Sequence, residues 1–158
     1  MKLIEAVDVN SIEVNLRSRT KDDLFGEMVD LLKQNPVLSE TGADVILRAL
    51  KEREKTGTTG VGKQVAIPHG KVMGLGGIVG AIGVSRRGID YDSIDGLPVR
   101  FVVAIVAPPE ESGDYLRILA KVARLLSDPS FTELLVTATT PESIHERIRR
   151  LEDITESV

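Results

Sequence analysis

One histidine in this sequence stands where its side chain is available for chemistry. His69 follows the strand-like run Val65–Ile67 and lies between Pro68 and Gly70. Proline fixes the backbone angle φ and has no N–H to donate, so it ends a strand ladder, whereas glycine lets the backbone turn away from the imidazole. A neutral imidazole with one exposed nitrogen is a nucleophile. The pattern therefore indicates either a histidine that accepts a transferred group or a turn histidine without chemistry.

The preceding segment, Gly57–Lys63, has the sequence of a possible phosphate-binding loop. It matches the pattern G-x-x-x-x-G-K of nucleotide-binding P-loops, but that pattern requires Ser or Thr next, to hold magnesium, and position 64 is Gln. A P-loop also follows a strand and opens a helix. Here a charged, helix-like segment comes before the loop and a strand-like run comes after it. We therefore predict no nucleotide site.

The composition excludes several other kinds of chemistry. The chain has 158 residues, no cysteine, two histidines, few aromatic residues and a net charge of −4. Thiolate and disulfide chemistry is excluded, and a metal site would lack ligands, so we expect no metal and no cofactor. A nucleic-acid binder normally shows a basic excess, so we expect no nucleic-acid partner. No apolar run is long enough to cross a membrane, and the charged N-terminus is unlike a signal peptide, which predicts a cytoplasmic protein without direct membrane insertion.

Strands and helices that position His69 are indicated by hydrophobic periodicity. Alternating or continuous apolar runs predict strands at Ser11–Leu16, Gln64–His69, Gly76–Ser85 and Val99–Ala107. The last two strands flank the turn signal Asp95-Gly96 and are expected to form an antiparallel hairpin. Strands mingled with helices predict an α/β fold: a three-layer α/β/α single domain, whose mixed parallel and antiparallel sheet has helices on both faces.

The predicted helices are bounded by capping residues and prolines. The first runs from the cap Thr20 to Asn35-Pro36, the second from Thr41 to Glu54, and the third from the cap Ser112 to Leu126. A short helix is expected after Pro129, and the last helix begins at the cap Thr140, with Pro141 at its first position. In the longest apolar stripe, the side chains expected to face the core are Leu116, Leu119, Ala120, Ala123 and Leu126. In the last helix they are Ile144, Ile148 and Leu151.

The segment around His69 resembles a known active-site signature. The run Arg53–Lys71, with the sequence REKTGTTGVGKQVAIPHGK, is similar to that of enzyme IIA of the phosphoenolpyruvate-dependent phosphotransferase system, of the fructose/mannitol type and its nitrogen-regulatory branch. The segments Gly88–Val99 and Leu116–Asp128 resemble later parts of the same family, in the same order. The resemblance spans nearly the whole chain and implies that residues 1–158 form a single enzyme IIA type-2 domain.

The resemblance implies roles for particular residues. His69 stands at the position of the family's phosphorylated histidine, which takes its phosphoryl group from the histidine phosphocarrier protein; the family suggests Nε2 as the phosphorylated nitrogen. Arg53 matches the arginine that neutralises phosphoryl charge, for which a guanidinium fork is suited. The further candidates for contact with the phosphoryl group are Thr58, Thr59, Gly60 and Gly70. For the two threonines, turn residues with local hydrogen bonds are an open alternative.

One position departs from the family pattern. Where many members carry a second histidine, in a Glu-His-Leu run, this chain has Asp114-Tyr115-Leu116. Tyr115 is a candidate to donate one hydrogen bond to a phosphoryl oxygen, but it has no imidazolium charge. The alternative is a packing residue at the cleft. His145 is off the apolar stripe of its helix and is not expected to substitute.

Three functions remain open at this point. The first is a phosphocarrier that receives a phosphoryl group on His69 and passes it to a sugar-specific IIB component, which feeds a membrane permease. The second is a regulatory protein-interaction module in which the phosphoryl group controls partner binding without onward transfer. Tyr115 and the absence of an attached IIB or IIC segment favour the second. The third, a scaffold without phosphoryl chemistry, is disfavoured because Arg53 and His69 are both present.

Overall fold

The computed structural model describes residues 1–156, which form one six-stranded sheet between helices. The strands are β1 (Val7–Glu13), β2 (Gly60–Gly62), β3 (Val65–Ala66), β4 (His69–Lys71), β5 (Val79–Ile89) and β6 (Val99–Ala107). Their order is β1-β5-β6-β3-β2, and β4 also pairs with β6. The pairs β1–β5, β3–β6 and β4–β6 are parallel, and β5–β6 and β2–β3 are antiparallel. The sheet is therefore mixed, as predicted.

Helices cover both faces of this sheet. They are α1 (Leu3–Ala6), α2 (Lys21–Leu32), α3 (Ala43–Glu54), α4 (Ser112–Leu125), α5 (Pro129–Val136) and α6 (Pro141–Glu156), with short 3-10 turns at Pro36–Leu38 and Pro109–Glu111. Helices α1, α4, α5 and α6 pack on one face and α2 and α3 on the other, each over its own apolar core. The three-layer α/β/α architecture is confirmed. Within residues 1–156, no helix is both long and apolar enough to span a membrane.

The central hairpin agrees with the sequence prediction. Strand β6 has the predicted bounds, and it pairs with β5 from Val79↔Val106 to Ile89↔Val99. Every residue of β6 except Arg100 is buried. A strand that is covered on both faces needs apolar side chains pointing both ways, which is why this strand is a continuous apolar run instead of an alternating one.

The ends of several elements differ from their predicted positions. Strand β1 begins at Val7, earlier than expected, and β5 lies a few residues later than Gly76–Ser85. The caps Thr20 and Thr140 are confirmed, since their hydroxyls accept hydrogen bonds from Asp23 N at 3.3 Å and Ser143 N at 3.1 Å. Ser112 is not a cap, because its hydroxyl donates to the carbonyl of Pro109. Local signals locate an element better than they locate its ends.

The predicted core face of α4 is wrong. The side chains that enter the core are Tyr115, Ile118, Val122 and Leu125. In the predicted stripe, Leu116 is 63% exposed, Ala120 and Ala123 are exposed, and only Leu126 is fully buried. Helix α4 carries apolar residues over a wide arc, and periodicity alone does not show which part of such an arc faces the sheet. Leu119, Ala120 and Ala123 line the same surface depression as His69.

Candidate functional site

A break in one predicted strand delivers His69 to the site. The predicted strand Gln64–His69 is divided into β3 and β4, which both pair in parallel with β6. Pro68 lies in the break because it has no N–H for the ladder, yet its carbonyl accepts a hydrogen bond from Ile105 N at 3.0 Å and keeps the chain beside β6. His69 therefore begins a strand instead of ending one, which corrects the prediction.

The imidazole of His69 is oriented by a backbone carbonyl. Its Nδ1 lies 2.6 Å from the carbonyl oxygen of Ile67. A carbonyl oxygen only accepts hydrogen bonds, so Nδ1 carries the proton and donates, and Nε2 keeps its lone pair. Among residues 1–156, Nε2 has no hydrogen-bond partner. In a neutral ring, Nε2 with its free lone pair is therefore the nucleophilic atom.

The surroundings of His69 keep the imidazole neutral. Partial burial lowers the pKa of His69, and the positive charge of Arg53 lowers it further, while the hydrogen bond to Ile67 and the charge of Glu54 act in the opposite direction. The net effect is a pKa below the ordinary value of 6.5. At neutral pH the side chain is therefore an uncharged nucleophile.

We predict that the His69 ring titrates below pH 6.5, the ordinary histidine pKa. Burial and Arg53 both disfavour the protonated ring, so a lower pH is needed to charge it. NMR titration of the ring protons, with a blocked histidine peptide in the same buffer as the reference, measures the midpoint. A midpoint for His69 at or above that of the peptide would contradict the prediction.

Arg53 lies at the rim of the same depression as His69. It is in the last turn of α3, and its Nη1 donates to Thr56 Oγ1 at 3.0 Å and to the Gly57 carbonyl at 2.9 Å. The depression has a volume of about 260 Å³ and is lined by Arg53, Thr58, Thr59, Val61, Ile67, His69, Leu119, Ala120 and Ala123. The structure thus places the His69 imidazole and the Arg53 guanidinium around one space.

The two threonines of the loop make local hydrogen bonds. Thr58 Oγ1 accepts from Gly60 N at 3.1 Å. Thr59 is 2% exposed, and its Oγ1 lies between Glu54 Oε2 and the hydroxyl oxygen of Tyr91. Both side chains line the depression, but their hydroxyls have protein partners, as the local-turn alternative expects. Contact between either threonine and a phosphoryl group stays a prediction.

The two candidate glycines lie where a side chain would collide. A Cβ atom on Gly60 would lie 2.4 Å from Ser93 Oγ and 2.9 Å from Ser93 Cα. A Cβ atom on Gly70 would lie 3.0 Å from the backbone carbonyl of Ala49, where β4 packs on α3. Close packing is sufficient to explain both glycines. Their contact with a phosphoryl group stays a prediction.

We predict that Gly60→Ala destabilises the protein by about 1–3 kcal/mol, the usual cost of overpacking. The added methyl group would collide with the Ser93 backbone, so the loop has to shift. Gly26→Ala is the matched control, because a Cβ atom there, within α2, meets nothing within 4 Å. Alanine is the better helix former, so the control should gain up to about 1 kcal/mol. Urea unfolding measures both values, and equal stability of the two variants would contradict the prediction.

Tyr115 contacts the ring of His69 from the core side. The two ring centroids are 5.9 Å apart in an edge-to-face arrangement, and Tyr115 is 4% exposed. Burial raises the pKa of Tyr115 to about 12, while Arg53 opposes this change slightly, so the phenol stays protonated. This packing agrees with the alternative given above. A hydrogen bond from Tyr115 to a phosphoryl group stays a prediction.

The P-loop-like segment forms a hairpin. Strands β2 and β3 are antiparallel, and Lys63 and Gln64 between them both have positive φ angles, of 56° and 69°. Two successive residues with positive φ are typical of a tight hairpin turn. Strand β3 follows the turn, so the segment has a strand–turn–strand geometry instead of the strand–loop–helix geometry of a P-loop.

Glu54 is a largely buried carboxylate beside the site that was not among the predicted site residues. The side chain of Glu54 is 9% exposed and lies 2.9 Å from Lys21 Nζ. Burial opposes its charge, but hydrogen bonds from Thr59 and the contact with Lys21 outweigh burial and lower the pKa of Glu54. A glutamate at the C-terminal end of a helix, where the dipole disfavours negative charge, was the available signal.

Apolar side chains line one side of the depression: Val61, which is 44% exposed, and Leu119, Ala120 and Ala123 of α4. Leu116, which is 63% exposed, lies one helical turn before Leu119 and Ala120 and extends this surface along α4. An exposed apolar patch beside a reactive group is typical of a protein-binding surface. We refer to these five residues as the apolar rim.

Comparisons with known proteins agree on one family. The family model described as "Phosphoenolpyruvate-dependent sugar phosphotransferase system, EIIA 2" matches residues 5–151. A nitrogen regulatory protein of Bradyrhizobium diazoefficiens is 35% identical over 135 residues, which cover 85% of this chain and 84% of the relative. The fructose-specific EIIABC component of the phosphotransferase system of Bacillus subtilis is 30% identical over 150 residues, which cover 95% of this chain and 23% of the relative. The crystal structure of nitrogen regulatory protein IIA-Ntr from Neisseria meningitidis aligns with a TM-score of 0.84 at 30% identity, covering 92% of this chain and 97% of that one.

Proposed function

Since this chain belongs to the EIIA 2 family of the phosphoenolpyruvate-dependent sugar phosphotransferase system, we propose that it carries a phosphoryl group on His69. In this proposal residues 1–158 act as a single enzyme IIA type-2 domain. The histidine phosphocarrier protein is the donor. The phosphoryl group is then passed to a IIB component or kept as a regulatory signal.

The observation that supports this proposal best is the state of the His69 ring. Nδ1 is bound to the Ile67 carbonyl at 2.6 Å, so Nε2 has the free lone pair. In the proposed step, that lone pair attacks the phosphorus atom of the donor phosphohistidine. A new N–P bond forms, the donor's N–P bond breaks, and the donor nitrogen recovers its electron pair. Both sides of the exchange are phosphoramidates, so the step is nearly thermoneutral and reversible.

Arg53 supplies the positive charge for this transfer. The transition state spreads negative charge over three equatorial oxygens, and catalysis depends on positioning and electrostatics. The guanidinium of Arg53 is already held at the loop by Thr56 and Gly57. A preorganised donor of this kind needs little rearrangement when the phosphoryl group arrives.

The apolar rim is the proposed docking surface for both protein partners. Val61, Leu119, Ala120 and Ala123 line the depression that also contains His69, and Leu116 extends the surface along α4. A donor histidine must come within bonding distance of Nε2, so the partner has to cover this surface. The name of the Bacillus subtilis relative joins A, B and C components, which supports a IIB component as one acceptor.

A regulatory role is the second candidate function. The relatives that the chain matches over most of their length include nitrogen regulatory proteins. A phosphoryl group on His69 would add about two negative charges beside the apolar rim. Such a charge change alters which partner binds, without onward transfer. Tyr115, in place of the family's second histidine, favours this candidate.

Reconstituted transfer tests the proposed function. The protein is incubated with phosphoenolpyruvate, enzyme I and the histidine phosphocarrier protein from one bacterium. We expect intact-mass spectrometry to show the addition of a single, acid-labile phosphoryl group. No addition, with the carrier demonstrably phosphorylated, would contradict the proposal.

A chase experiment separates the two candidates. The phosphorylated protein is purified and mixed with a fructose-type or mannitol-type IIB component. Rapid loss of the phosphoryl group to IIB supports the carrier role. Retention by this chain, while a sugar-specific IIA tested in parallel transfers to the same IIB, supports the regulatory role.

A further inference from the structure

The largely buried carboxylate of Glu54, beside the site, has no part in the transfer described above. Glu54 ends α3, where the helix dipole disfavours a negative charge, and its side chain is only 9% exposed. Burying a charge is unfavourable unless it is paired and hydrogen-bonded. Lys21 Nζ, from α2, lies 2.9 Å away and supplies the pairing charge. The negative charge of Glu54 is therefore in an unfavourable place, and its neighbours stabilise it there.

A series of hydrogen bonds connects Glu54 to His69 through the backbone groups of Thr59 and Ile67. Thr59 N donates to Glu54 Oε1 at 3.0 Å and to Oε2 at 3.2 Å. The Thr59 carbonyl accepts from Ile67 N at 2.9 Å. The Ile67 carbonyl accepts from His69 Nδ1 at 2.6 Å. In Thr59 and in Ile67 the N–H and the carbonyl belong to neighbouring planar peptide groups joined at one Cα atom, so a hydrogen bond that fixes one group restrains the orientation of the other.

Thr59 is also held through its side-chain hydroxyl. Thr59 Oγ1 donates to Glu54 Oε2, and because a hydroxyl has one proton, it accepts from the hydroxyl of Tyr91, at 2.6 Å. Burial raises the pKa of Tyr91, so the phenol keeps its proton. Lys21 Nζ also lies 4.8 Å from the centre of the Tyr91 ring. With both its N–H and its hydroxyl engaged by Glu54, Thr59 has little freedom to rotate.

We propose that Glu54 is a positioning residue for His69, which orients the Thr59 and Ile67 backbone and so holds the imidazole in the Nδ1–H tautomer. The tautomer of a histidine is set by the hydrogen bond that its other nitrogen makes. Without Glu54 the Ile67 carbonyl is less well oriented, and the ring populates both tautomers. Nε2 then has its lone pair for only part of the time. The consequence for transfer rate rests on the proposed function; the tautomer does not.

Nitrogen-15 NMR of the imidazole tests this proposal, because it reports which ring nitrogen carries the proton. The variants are Glu54→Ala and Glu54→Gln, and the matched control is Glu52→Gln, an exposed glutamate on the same helix that pairs with Lys55. We expect the Nδ1–H tautomer in the parent and the control, and a mixture in Glu54→Ala. Glu54→Gln should lie between, because its amide oxygen still accepts from Thr59. The rate of phosphoryl acceptance by Glu54→Ala should fall about 10–100-fold, the loss seen when hydrogen-bond partners that orient metal-binding histidines are removed.

The outcomes separate this role from a purely structural one. A loss of stability alone would leave the tautomer of the folded fraction unchanged. The parental tautomer and rate in every folded Glu54 variant would overturn the proposal, and Glu54→Gln, which preserves side-chain shape, decides the matter if Glu54→Ala does not fold. If even the parent accepts no phosphoryl group, the proposed function fails, and the tautomer measurement still decides the role of Glu54.

Discussion

Replacing His69 with alanine is expected to reduce phosphoryl acceptance from the histidine phosphocarrier protein to background. In the proposed transfer a bond forms to Nε2, and alanine has no atom that replaces this nucleophile. The other histidine, His145, lies on α6 and does not line the depression around His69. Intact-mass spectrometry after incubation with the phosphorylated donor measures the result. A phosphoryl adduct on His69→Ala would move the acceptor to another residue.

The control for this prediction is His145→Ala, which should be phosphorylated at the parental rate. Both variants should keep the parental fold by circular dichroism, because His69 is only partly buried and its hydrogen bond is made to a single carbonyl. Equal loss of phosphorylation in both variants would point to a general defect instead of a missing nucleophile.

Replacing Arg53 with alanine is expected to slow phosphoryl acceptance about 100-fold or more, comparable to the loss of one preorganised donor in other active sites. In the proposed transfer the guanidinium gives charge and directed N–H groups to the phosphoryl oxygens. Arg53 and His69 line the same depression, so the two groups lie close enough for this role. Arg53→Lys keeps the charge but not the planar fork, so its rate should lie between those of the parent and Arg53→Ala. Rapid-quench kinetics with the phosphorylated donor measures all three rates.

The loop contact of Arg53 requires its own control. Arg53 Nη1 donates to Thr56 Oγ1 and to the Gly57 carbonyl, so Arg53→Ala also removes a loop contact. Thr56→Ala removes part of that contact and leaves the guanidinium in place. We expect a change of only a few-fold in the Thr56→Ala rate. A slowing equal to that of Arg53→Ala would assign the effect to loop order instead of charge.

The sequence by itself determined the features that depend on neighbouring residues. Strand β6 was recognisable because a strand covered on both faces is apolar throughout. The caps Thr20 and Thr140 were recognisable because a cap bonds to an N–H three residues away. His69 stood out as a chemical group because Pro68 and Gly70 act on the backbone directly beside it.

Only the tertiary structure decided the features that depend on residues distant in the sequence. The face of α4 that enters the core is set by the sheet, which buries Tyr115 and leaves Leu116 at the apolar rim. The pairing of Glu54 with Lys21 brings two helices together, and no local pattern predicts it. The hydrogen bond of Ile67 N to the Thr59 carbonyl, which holds the segment before His69 against the loop, also joins residues that are separated in the sequence. Hydrogen bonds act over about 3 Å, so these properties exist only once the folded chain has brought the groups together.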